Sequence, residues 1–136
     1  MRAERGYADY LGVVERLRLE TPREPRILTL ANWLIDTPFA DVVYPGAFEA
    51  ARDARRWGSP AILSDSDAVF QPHKIERSGL WRAFDDRVLI YVHKERELED
   101  VARQYPARRY ARIDEKLRVL AAFALSATIA NAAKPL

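Results

Sequence analysis

The sequence predicts an α/β fold with parallel strands, flanking helices and a helical segment in front. Three observations predict it. Short apolar runs at 60–64 and 87–92 have the length and composition of strands, and the mixed run "RRYARI" at 108–113 is read as a third. Helical stripes alternate with those runs, the pattern of a parallel sheet covered on both faces. The first 43 residues carry helical periodicity alone.

Residues 3–19 place Tyr7, Tyr10, Leu11, Val14 and Leu17 at helical spacing, and "TPREP" breaks the chain after them. Ile27, Leu28, Leu30, Ala31, Leu34 and Ile35 form a second stripe, with Pro25 near its first turn, where proline is tolerated. "DTPF" ends that helix, and "VVYPG" enters a turn. From Ala47, apolar positions 47, 48, 50, 51, 54 and 57 predict a helix with Gly58 as its C-cap. Residues 60–64 then predict a strand, 73–83 a short helix and "RVLIYV" at 87–92 a second strand. Leu98, Val101, Ala102 and Tyr105 predict a helix over 94–105. "RRYARI" at 108–113 predicts a third strand, and 115–133 a long Ala-rich helix.

At 136 residues the chain is expected to be one domain, or most of one, and 49% apolar residues suffice for a core. The net charge is +2 with arginines scattered along the chain, often beside acids. No basic block interleaved with aromatics appears, so no nucleic-acid partner is expected. There is no cysteine, which excludes disulfides, thiolate metal sites and a cysteine nucleophile. The N-terminus has no apolar signal region and the Ala-rich end is broken by Ser126, Thr128 and Asn131. No membrane association is expected, and the expected compartment is the cytoplasm.

In parallel sheets, ligands gather at the carboxyl ends of the strands. The residues there are Ser64-Asp65, His93-Lys94 and Asp114-Glu115. A hydroxyl with backbone N–H groups holds phosphoryl oxygens, a lysine neutralises their charge, and carboxylates hold Mg²⁺. Structural roles compete with each assignment. Ser64 and Asp65 also suit the cap of the next turn, Asp114 the N-cap of the last helix, and Lys94 a solvated surface. His73 and His93, each followed by lysine, read as surface or loop residues. "PAILSDSDAVF" itself has two readings: Ser64 as the working residue, or Asp65 and Asp67 as nucleophile and acid.

"VYPGAFEAARDARRWGSPAILSDSD" resembles the haloacid dehalogenase (HAD) superfamily, with its Pro-Gly turn, helix, glycine and strand ending in Ser or Thr. Lys94 in "YVHKERELEDVARQYP" matches the family's lysine motif. Asp114 and Glu115 in "RIDEK" match its acidic motif. The resemblance spans residues 44–120. It implies a Rossmann-like core and Mg²⁺-dependent hydrolysis of a small phosphorylated substrate. Ser64 and Asp65 would bind phosphate, Lys94 would orient it as a catalytic residue, and Asp114 with Glu115 would support Mg²⁺. Residues 1–43 would be a helical cap-like segment and 44–136 an incomplete core.

The departure from the family is its first motif, a strand ending in Asp-x-Asp before the cap, which no residue upstream of Ser64 supplies. Were "ILSDSDAV" that motif, Asp65 and Asp67 would be the pair, but the next strand, "VLIYVHK", then lacks its terminal Ser or Thr. The reading favoured is Ser64, in a truncated and inactive chain with weakened Mg²⁺ binding. The alternative is a non-catalytic α/β interaction module. Arg112 is an unusual residue for a buried strand. A missing central strand would leave open edges that invite self-association, with 60–64 pairing in parallel with 87–92.

Overall fold

Aspartate before a helix accepts the first unpaired N–H groups. Asp9 does so for α1 (Tyr10–Glu20), its Oδ1 accepting from Gly12 N at 2.7 Å. The computed structural model describes residues 9–115 with 117, 120–122 and 124. It divides into two units, residues 1–92 and 93–136.

The first unit opens on the helical pair. A Cβ on Gly12 would sit 2.2 Å from an Asp9 carboxylate oxygen, which explains a glycine inside α1. Thr21 ends α1, its hydroxyl donating to Leu17 O at 2.7 Å. The second predicted stripe is α2 (Arg26–Asp36), with Pro25 at its N-cap and Ile27 buried. Arg26 donates to both carboxylate oxygens of Glu24 at 2.7 Å, and this holds the Glu24 carboxyl below its usual range.

A 3₁₀ turn, Phe39–Val42, then carries Phe39 into the core beside Phe70, with ring centroids 5.9 Å apart. Phe70 also meets Tyr10 at 5.6 Å. Ile27, Phe39, Ala51, Phe70 and Ile75 are the buried apolar residues among those described. His73 belongs to this packing. It is half-buried on a helix, stands edge-on to Phe39 and donates from Nε2 to Ile35 O at 2.9 Å. The surface-or-loop assignment of His73 is corrected by that bond, which ties its helix to the end of α2.

Helix α3 (Ala47–Ala54) starts at Gly46, whose φ of 82° lies in the left-handed region that glycine tolerates. It ends at Ala54, before the predicted cap at Gly58. The N–H groups of Arg55, Arg56 and Trp57 bond three residues back, which tightens the last turn. Arg55 Nη2 is also drawn to Ala83 O at 2.8 Å and Asp85 Oδ2 at 2.9 Å.

Strands β1 (Ile62–Asp65) and β2 (Val88–Tyr91) pair in parallel, Ile62 opposite Val88 and Asp65 opposite Tyr91. The predicted helix over 73–83 is two helices, α4 (Phe70–Arg77) and α5 (Leu80–Ala83). It begins early because Asp67 caps it, and it breaks at Gly79, where φ is 81°. Asp85 and Asp86, at φ of 53° and 59°, turn the chain into β2. The fold is thus α/β with a parallel sheet and flanking helices.

The second unit holds a 3₁₀ turn, Lys94–Arg96, and α6 (Leu98–Gln104), where one helix over 94–105 was predicted. The predicted strand at 108–113 does not form. Tyr110 Oη donates to Tyr105 O at 2.8 Å and accepts from Ala107 N at 3.0 Å, closing a local loop in place of a ladder. Ile113 is 99% exposed, so this run covers no core. The predicted helix over 115–133 lies mostly outside the described residues.

Candidate functional site

Ser64 sits within β1, opposite Ile90 in the register. Its Oγ accepts from Gln71 Nε2 on α4 at 2.9 Å, which orients the hydroxyl and leaves its own O–H as a donor. Gln71 was not foreseen. Its sequence signal was only its place one residue into the helix that follows the strand. Asp65 is the last residue of β1, and Ser66 N continues the ladder to Tyr91 O at 3.0 Å.

Asp67 has a structural occupation. Its Oδ1 accepts from Val69 N at 2.9 Å and Phe70 N at 2.5 Å, while Ser66 Oγ lies 3.3 Å from Oδ2. Capping, which the sequence offered to Ser64 and Asp65, thus falls to Asp67. A carboxylate holding two backbone N–H groups is poorly placed to act as the acid of a nucleophile pair.

In the second unit, Lys94 is 7% exposed, which overturns the solvated-surface reading. Its Nζ lies 2.7 Å from Asp114 Oδ2, and that side chain is 5% exposed. Arg112 Nη2 reaches the same oxygen at 2.5 Å. Asp114 therefore serves two cations, which the N-cap reading did not anticipate. A buried lysine is costly unless paired, and this pairing supplies the charge it needs. Arg112 was legible as a misfit in an apolar strand but not as a member of the cluster. The signal was the Arg-x-Asp spacing, a cation two positions from a carboxylate. His93 Nδ1 is 3.7 Å from Glu95 Oε1, and Glu115 is exposed.

These residues do not fit Mg²⁺. Its ligands are oxygens at about 2.0–2.1 Å in near-octahedral array. The Asp114 oxygen instead faces an ammonium and a guanidinium, Glu115 lies in solvent, and no group of three acidic or histidine side chains among the described residues could hold a metal. No helix among those residues is long and apolar enough to cross a membrane.

The chain is similar to a haloacid dehalogenase-like hydrolase from Burkholderia xenovorans LB400, known from a crystal structure. The TM-score is 0.83 and the identity 55%, over 92% of this chain and 58% of that one. The chain thus spans less than two thirds of that protein's length. No protein-family model and no curated protein matches it.

Proposed function

Because the chain belongs to the haloacid dehalogenase superfamily, we propose that it carries the phosphate-holding part of a hydrolase acting on a small phosphorylated substrate. Ser64, with backbone N–H groups near Asp65, would donate to phosphoryl oxygens, and Lys94 would offset their charge. The observation that supports this best is Lys94 itself: a lysine held 7% exposed at the start of a short helical turn, where a cation does not help the helix. Residues 1–43 would act as the helical cap, and the cytoplasm is the compartment that suits a cysteine-free chain of this kind.

The 136 residues contain no Asp-x-Asp ending a strand upstream of Ser64. These residues alone would then hold phosphate without supplying the aspartyl nucleophile, and are expected to hydrolyse no generic phosphate monoester. The test is a monoester hydrolysis assay with and without Mg²⁺, beside an NMR titration with inorganic phosphate. Amide shifts at 64–67 and 93–95, lost in Lys94→Ala, support the reading. Mg²⁺-dependent turnover lost on Asp65→Asn would replace it with the pair Asp65 and Asp67. A second reading, an interaction module using its helical segment, draws on Leu19, Leu28 and Trp33, which are exposed on α1 and α2.

A further inference from the structure

The arrangement at Asp114 gives a reason why the metal expected from the family does not fit, and the reason is a residue. Arg112 Nη2 and Lys94 Nζ both lie on Asp114 Oδ2, at 2.5 Å and 2.7 Å. The Arg112 side chain is 12% exposed and that of Asp114 5%. A guanidinium remains charged at any physiological pH, is weakly hydrated and so tolerates burial better than an ammonium. Placed on the carboxylate, it offers what a divalent ion offers there: fixed positive charge with directional contact. A third cation arriving at the same oxygen would meet like charge at short range, and Mg²⁺ gives up its water reluctantly.

We propose that Arg112 takes the electrostatic place of a divalent cation at Asp114, so that this carboxylate is compensated without metal and Mg²⁺ is kept off it. The lysine alone does not account for the exclusion, since a carboxylate has two oxygens and several lone pairs to share between one lysine and an ion. The guanidinium is the added element. The inference stands whether or not phosphate is the ligand of Ser64, because it concerns only what binds Asp114.

The test uses the full chain, ¹⁵N-labelled, titrated with Mn²⁺ as a paramagnetic stand-in for Mg²⁺. The readout is broadening of the amides of 112–115. The wild-type chain is expected to show no saturable broadening there. Arg112→Gln is expected to gain it, with affinity raised at least about tenfold, the order by which one adjacent charge shifts a carboxylate's equilibria, and Mg²⁺ should reverse it. Arg112→Met, which keeps the packing of the stem, takes its place if Arg112→Gln does not fold. Saturable, Mg²⁺-reversible broadening in the wild type overturns the proposal. So does its absence in a folded variant.

Discussion

Replacing Asp114 by Asn leaves the shape of the cluster and removes the carboxylate that Lys94 and Arg112 share. At 2.7 Å and an effective dielectric near 20, one such ion pair is worth roughly 6 kcal/mol before desolvation. The net loss is smaller, because the charges also regain some hydration when the fold loosens. Breaking a buried pair by removing one partner costs about 3–5 kcal/mol, and Asp114→Asn is expected at the lower end of that range because Arg112 retains some solvent contact. Lys94→Met should cost less, since Asp114 keeps its arginine. All three tryptophans, Trp33, Trp57 and Trp81, lie in the first unit, so tryptophan fluorescence would miss the effect. Hydrogen exchange of amides 93–115 reads it directly. The reasoning fails if Asp114→Asn leaves that protection within about 0.5 kcal/mol of wild type, or if Lys94→Met is the more damaging change.

Asp67→Ala is expected to destabilise the chain by about 1 kcal/mol, because two N–H groups at the start of α4 lose their acceptor; urea unfolding followed by tryptophan fluorescence checks it. Gly46→Ala should cost about 1 kcal/mol although nothing lies within 4 Å of the added carbon, since the price is wholly in its φ of 82°. Arg26→Ala should raise the Glu24 pKa back toward 4.5, as seen by NMR titration. Its carboxyl is depressed in the fold, so any stability from the pair is present above the ordinary carboxyl pKa and fades as pH falls through the lowered one. The outer edge of β1 or β2 should promote self-association, giving a dimer by light scattering; a monodisperse monomer with cooperative unfolding counts against it.

The parts of the fold legible in the sequence were those set by local pattern. The stripe from Ile27 to Ile35 is α2 almost residue for residue, and the apolar runs around 62–65 and 88–91 are the two strands in parallel. What was not legible depended on contacts distant in sequence or on side chains competing with the backbone. Gly58 looked like a cap, but the helix closes at Arg55, whose side chain donates to Ala83 and Asp85 about thirty positions on. The run 108–113 carries Tyr110, Ala111 and Ile113 among three arginines, and Tyr110 spends its hydroxyl on Tyr105 and Ala107 instead of joining a strand. His73 carried no pattern at all; only the approach of Ile35 O gives it a role. At the candidate site, Ser64 and Lys94 were visible by position, whereas Gln71 needed the hydrogen bond to Ser64 to be seen.

Arg112 shows how a local misfit carries information. A charged side chain in an apolar strand is costly if the strand is buried, and a sequence reader takes it as an argument against the strand. Both inferences hold here: the strand is absent, and the charge is buried in a cluster instead. The same residue also decides the electrostatics of its neighbour. With Lys94 alone, Asp114 would be an ordinary partner with lone pairs to spare for an ion; with Arg112 added, two cations share one oxygen, and a metal approaching the carboxylate meets both charges. Likeness at 55% identity transfers the backbone of such a site more securely than its charge balance, because a single charged side chain can change the local field without changing the fold. On the proposal above, the ion that Asp114 accepts is set by residue 112, two positions away, more than by the acidic residues of its own stretch.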